Sequence, residues 1–448
     1  MVSLLRLQVF RRYYLGYTAS SFGDSLTPFA LAFAVLDLTG SPSALALVVL
    51  ASRVPVVVFV LVGGAVGDRF SRRTVMLTTD LVRCLVQAAT AAILLTGAAE
   101  LWMLVILQLV AGAGTAFFNP AGQGLLPTVI DTPRLQRANA LLATSRSATS
   151  VAAVATAGLL VATAGPGCAV AVDAATFLAS AAALRGLPRA AAIPLRQGGL
   201  LHNIRGGLHE LGGSTWLWVW AAHGLLISLC VISPLFVLGP YIADRYLTGS
   251  TTWAVIGISY TIGGVAGGLL SSRWQPRRPM TAAITVFALL IPLPALLAWP
   301  ANLTLLVPAS VLGGVQISLY NVLQATTVQH QLPQHLVGRA TSLLILGSVI
   351  AVPLGTGLAG LLAEIAGARL VLAGAAAAGI LITAAALTIP TVHAVVSTAK
   401  ATTDQPQPHR NNPALTSQET FVAPHEGRPL TCPARGSSTD VPRTRVGY

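Results

Sequence analysis

Seven ionisable side chains stand inside apolar stretches of this chain: Asp24, Arg53, Asp80, Arg83, Arg146, Asp173 and His223. Charge is expensive in such surroundings and normally faces a protein interior or a water-filled cavity. Asp24 and Arg53 each fall about ten residues into consecutive apolar stretches. Antiparallel neighbours would bring both near mid-depth, either as a static ion pair or as one in which the carboxylate exchanges its partner for a proton. Asp80 and Arg83 are three apart, on one face of a helix, and form a second candidate pair. Arg146, about nine residues into its stretch, either meets an anionic substrate or pairs with an aspartate. Asp173 lies near one end of its stretch and is either interfacial or part of the charge set. His223 is either a proton relay or a buried neutral histidine.

A further group of charges is packed into Gly64-Ala-Val-Gly67-Asp68-Arg69-Phe-Ser-Arg72-Arg73, between two apolar stretches. That position predicts a short charged loop at a membrane surface. A worn copy follows about 200 residues later, Gly268-Leu-Leu-Ser271-Ser272-Arg273-Trp-Gln-Pro-Arg277-Arg278. The acidic member, Asp68, has Ser272 as its counterpart. Asn119 to Arg137 repeats as Asn321 to Arg339, and Gly158-Leu-Leu with Gly165 repeats as Gly360-Leu-Leu with Gly367, all at an offset of 202. Asn119, Gln123, Asn321 and Gln324 occupy equivalent stretches, where they either line a cavity or cap helices. Several segments in one register argue for an internal duplication.

These residues need helices to hold them. Of the 448 residues 54% are hydrophobic and only 9% charged, with mean hydropathy +0.73. So apolar a chain cannot bury its hydrophobic surface in one water-soluble core. Twelve apolar stretches reach spanning length, at roughly 14–38, 43–66, 74–97, 101–118, 137–163, 167–185, 215–240, 251–271, 279–299, 303–326, 338–362 and 368–392. The organisation expected is an all-α membrane bundle. Residues 1–185 form one six-helix half, 186–214 a cytoplasmic inter-half loop, 215–392 a second half and 393–448 a disordered cytoplasmic tail. The last 48 residues contain seven prolines and no apolar period. Sixteen arginines fall in loops on one side of this topology and two, Arg245 and Arg369, on the other. The positive-inside rule therefore puts both termini in the cytoplasm. The net charge of +13 is spread through these loops rather than along one face, which argues against nucleic acid as a partner. Trp216, Trp218 and Trp220 read as an interfacial belt. Cys84, Cys168, Cys230 and Cys432 share no CxxC spacing and read as small hydrophobes. No Walker A, HExxH or GxSxG sequence is present, so the chain carries no signature of an ATPase, a zinc protease or a serine hydrolase, and no metal or cofactor is expected.

Twelve spans in two halves, with G-x-x-x-D-R-x-x-R-R between spans two and three, resemble the major facilitator superfamily. Within it the chain is similar to drug and siderophore exporters of the macrolide-efflux and enterobactin-exporter type. This closer likeness rests on Gly23-Asp24, Arg53-Val-Pro55, Gly67-Asp68-Arg69-Phe70, Asp80-Leu-Val-Arg83, Phe117-Phe-Asn119-Pro120-Ala121, Leu125-Leu-Pro127, Leu135-Gln-Arg137-Ala-Asn139 and Asp173-Ala-Ala-Thr-Phe177. The resemblance implies a multi-pass transporter of the cell membrane that exports a small amphipathic molecule by alternating access. It also implies a gating role for Asp68 with an arginine such as Arg69 or Arg72. A monomer is expected, and Asp24, rather than the resemblance, motivates protons as a coupling ion. Uptake, or a sensor or interaction protein that has lost transport, are the other readings. Three departures stand out. Ser71 replaces the glycine usual in the loop motif. Gln108-Leu-Val-Ala111-Gly112 replaces the R-x-x-Q-G of proton-linked antiporters, and Ala153-Val154 replaces their Gly-Pro pair.

Overall fold

The computed structural model describes residues 2–69, 71–131, 134–187, 213–271 and 273–396. Of the sequence expectations, most of the inter-half loop, most of the tail, Ser272, and the side chains of Gly64, Gly67, Asp68, Arg69 and Gln123 lie outside what is described. Twelve helices are long and apolar enough to cross a membrane. We number them α1 (Gln8–Thr39), α2 (Pro42–Arg69), α3 (Arg72–Leu95), α4 (Leu101–Val129), α5 (Leu135–Ala164), α6 (Pro166–Arg185), α7 (Thr215–Tyr246), α8 (Ser250–Ser271), α9 (Pro279–Ala298), α10 (Leu303–Gln331), α11 (Gln334–Ala366) and α12 (Ala368–Thr388). Leucines and isoleucines such as Leu85, Leu269, Ile365 and Leu381 project from the bundle largely exposed. In water that would be a liability; against lipid tails it costs nothing.

The duplication seen in the sequence is visible in the helices. α4 and α10 are both 29 residues long and lie 202 positions apart at each end (303 − 101 and 331 − 129). The joints between α5 and α6 and between α11 and α12 fall at Gly165 and Gly367, with φ of 80° and 86°. A left-handed backbone there explains why glycine recurs at both positions.

Two helices are irregular. α7 contains a π-helical turn at Ser228–Ile232, where the Ser228 carbonyl accepts from both the backbone N–H of Ser233 and its hydroxyl, the latter at 2.7 Å. α9 breaks at Phe287–Leu289 and restarts as a short helix with Pro292 in its first turn.

The charged segment at 64–73 differs from the expected loop. α2 runs to Arg69 and α3 begins at Arg72, so most of the motif is helix end. Ser71 is the N-cap of α3: its hydroxyl accepts from the Thr74 backbone N–H at 3.2 Å and meets the Thr74 hydroxyl at 2.8 Å. Serine satisfies a helix-start donor that glycine would leave to water. Arg72 opens the same helix. Arg73 donates to the carbonyls of Leu184 (3.0 Å) and Arg185 at the end of α6, a cation placed against a helix C-terminus.

Candidate functional site

α1 and α3 both pack along α6, and the charge set is assembled where they meet. Arg83 of α3 forms a close ion pair with Asp24 of α1 and a longer one, 3.7 Å, with Asp80 one turn back on its own helix. Its guanidinium lies 3.9 Å from the ring centre of Phe177 and 5.5 Å from that of Phe118, so its faces are covered by aromatic π-surface. Arg83 is 2% exposed; Asp80 and Asp173 are wholly buried.

Hydroxyls hold the carboxylates. Asp80 accepts from Ser180 at 2.5 Å and from Ser20 at 3.4 Å. Asp173 accepts from Thr27, and from Thr176 at 3.3 Å. Asp173 is therefore a member of the buried cluster rather than interfacial. Gly23 makes room for it, since a Cβ there would run into Asp173 and Thr176. The hydroxyl partners were not singled out in the sequence; only Thr176 carried a local signal, its spacing of three from Asp173.

The sequence suggested Arg53 as the partner of Asp24, and the structure gives that place to Arg83. Equal depth on neighbouring spans does not fix which face of each helix points inward. Arg83 reaches Asp24 because α1 and α3 share α6 as a neighbour, whereas α2 packs along α4. Arg53 instead lines three adjoining cavities, two of which it shares with Arg146.

The largest of these cavities, about 880 Å³, lies between the halves. The first half contributes Arg53, Arg146, Ser25, Ser147 and Ser150; the second contributes Phe236, Trp253, Ile256, Tyr260 and Ile317. Its volume suits a drug-sized ligand. A second cavity runs from it into the first half, past Asn119 and Gln108 to Asp24, Arg83 and Asp173. Gln108 thus occupies a cavity wall. A third cavity, lined by Asn321 and Gln324, borders the π-turn of α7. The aromatic wall of the second half was missed in the sequence, because isolated aromatic residues in apolar helices look alike whether they face lipid, core or cavity.

His223 is 2% exposed and packs edge-on to Phe287 and against Tyr320. Neither ring nitrogen has a hydrogen-bond partner among the described residues. Trp220 is fully buried and donates to the Tyr320 hydroxyl at 2.9 Å; of the three tryptophans in α7 only Trp218 is exposed. Exposed Trp102 and Trp299, at helix ends, are better placed for an interfacial belt. Among the described cysteines, Cys84, Cys168 and Cys230 are free and partly buried.

The halves touch closely at two seams. Gly158 of α5 receives Ala254 of α8, and Gly360 of α11 receives Ala46 of α2. These glycines are the repeat-related pair of the sequence. Beside the second seam, Glu364 accepts from Ser41 at 2.7 Å and from Ser43. Both seams lie toward the end of the bundle where α2 and α8 begin and α5 and α11 finish.

Residues 1–421 match the family described as transmembrane secretion effector. The chain belongs to this family. It is 30% identical to the multidrug efflux pump Tap of Mycolicibacterium fortuitum, over 77% of this chain and 87% of that one. Macrolide efflux protein A of Streptococcus pyogenes is 23% identical over 78% and 88%. A mutant of the nucleoside transporter NupG superposes with a TM-score of 0.69 at 12% identity, covering 85% of this chain and 99% of that one. This transmembrane secretion effector therefore has the major facilitator fold, two six-helix halves in one all-α bundle, and is a membrane transporter rather than an enzyme.

Proposed function

We propose that this protein exports a small amphipathic organic molecule across the cell membrane by alternating access, as a monomer with both termini cytoplasmic. The observation that carries this reading is the cavity of about 880 Å³ walled by both halves. A site between halves that rock about it is how such transporters move substrate. Export is favoured by the relatives, which are named as efflux pumps. The seams at Gly158 and Gly360 lie at the Arg-poor face, which the positive-inside rule assigns to the exterior, so the state described is sealed toward the outside.

Proton antiport is the proposed energy source. Asp24 and Asp80 share a single guanidinium, and of Asp24, Asp80 and Asp173 only Asp24, with its side chain 38% exposed, is not fully buried; it stands on the cavity wall that Asp173 also lines. A carboxylate in excess of its cations, within a membrane and reached by water, is suited to carrying a proton. At the opposite end, Asp68 is proposed to act with Arg69 or Arg72 as a gate built on the first half alone.

The test is flux in proteoliposomes with an imposed pH gradient. Wild type should drive counter-movement of a fluorescent drug and protons, and Asp24→Asn should lose the proton-linked part. Unchanged coupling in Asp24→Asn removes Asp24 from the mechanism, and absence of any flux removes transport.

A further inference from the structure

We propose that the cavity selects organic anions, with Arg53 and Arg146 binding the acid group and Phe236, Trp253 and Tyr260 the apolar body. This rests on the transport reading of the same cavity. The first half carries three arginines and three aspartates in its membrane interior, and their distribution is uneven. Arg83 takes Asp24 and Asp80, while Ser180, Ser20, Thr27 and Thr176 supply the remaining donors to Asp80 and Asp173. Arg53 and Arg146 are left with no side-chain hydrogen bond and no carboxylate within 4.0 Å among the described residues. Both are exposed, and both line the same two connected cavities.

Guanidinium groups inside a membrane protein are costly unless they have a task. Five N–H donors in a planar fork match a carboxylate, sulfonate or phosphate. Gln108, 3% exposed on the same cavity wall, has an unpartnered Nε2 donor. The described second-half wall of the large cavity contributes no charged residue. A ligand spanning it therefore meets cations on one side and aromatic rings on the other. An organic cation would meet two unpaired guanidiniums and aspartates already engaged. A neutral ligand would leave both arginines unmatched.

Three probes sharing one fluorophore separate these cases: dansylglycine, its uncharged amide, and dansylcadaverine, which is cationic. Protein in nanodiscs of zwitterionic lipid should bind the acid at least about tenfold more tightly than either other probe, the discrimination expected for a charge-assisted pair. Arg53→Gln and Arg146→Gln should each reduce that preference, and the double variant should abolish it while amide binding stays unchanged. Arg53→Lys and Arg146→Lys should retain part of it, and thermal melting checks that each variant is folded. Equal or tighter binding of the amide or the cation overturns the proposal, as does an acid preference that survives in the double variant. Phosphatidylglycerol titrated into the discs should leave the acid's affinity unchanged; competition at a few per cent would make this a lipid headgroup site instead. Flux of the same probes keeps the two readings apart. Acid-selective binding without flux sinks transport and spares the anion site, whereas flux of only the cation or amide does the reverse.

Discussion

Gly360→Ala is a perturbation small enough to read cleanly. The added methyl group would enter the contact with the Ala46 methyl and come within 3.1 Å of the Ser43 Cα and 3.4 Å of the Pro42 carbonyl oxygen. None of these atoms is the tip of a flexible side chain, so relief requires α2 and α11 to separate. Overpacking of this kind costs about 1–3 kcal/mol. The cost falls only on the state in which the seam is closed. Alanine also favours the helix over glycine by about 1 kcal/mol, in open and closed states alike. The closed state should therefore lose up to about 2 kcal/mol net while its population falls by roughly 5- to 150-fold relative to the open one. Spin labels at Leu38→Cys and Ile365→Cys, in a background lacking the native cysteines, report the separation of the halves at this end by double electron–electron resonance; both positions are exposed. Wild type should show one short distance and Gly360→Ala a longer population. Gly357→Ala, one turn earlier, meets only the Leu50 Cδ2 at 3.8 Å and should behave as wild type. Matching distance distributions for Gly360→Ala and Gly357→Ala would refute the claim that this contact seals the cavity.

Three further outcomes are expected. Arg83→Ala leaves Asp24 and Asp80 without their cation and should lower stability in detergent by about 3–5 kcal/mol, read by chemical unfolding. Arg83→Lys should recover part of that loss, because it restores charge without the fork. Ser71→Ala should speed hydrogen exchange in the first turn of α3, consistent with a capping loss of about 0.5–2 kcal/mol, whereas Ser71→Gly should cost only a few tenths. Gly158→Ala should repeat the Gly360→Ala distance change at the other seam, with labels placed on α5 and α8.

The parts of this molecule legible in its sequence are those that depend on length and period. Twelve spans, the 202-residue repeat and the Asp80–Arg83 pair needed only local spacing. Rotation about a helix axis is not local. Arg53 and Arg83 are both arginines near mid-span, and which of them meets Asp24 is decided by the packing of α1 and α3 on α6. The burial of Trp220 was misjudged, and that of Asp173 left open, for the same reason, since distance from a helix end says nothing of which neighbour covers a side chain. Glycines were easier to place than to explain. Gly158 and Gly360 matched in sequence, yet their role appeared only with Ala254 and Ala46 set against them.

The placement of charge also constrains how the halves can move. Every described ion pair with a buried member lies within the first half, on α1 and α3. No described ion pair joins the halves across the membrane interior; a described polar link between them is the Glu364 contact with Ser41 and Ser43. Breaking a buried ion pair at each cycle would strand a charge in low dielectric, at a cost of several kcal/mol. Sliding glycine against alanine strands nothing, because only dispersion contacts are exchanged. The cluster around Arg83 ties α1 and α3 together beside α6, so the first half can rock as a rigid body with its charges intact. On the proposed proton coupling, protonation of Asp24 then acts within that half, by loosening the Arg83 pair, rather than by cutting a bridge between halves. Arg53 and Arg146 stand outside that cluster, at the cavity wall, and remain available to substrate whichever partner Arg83 holds.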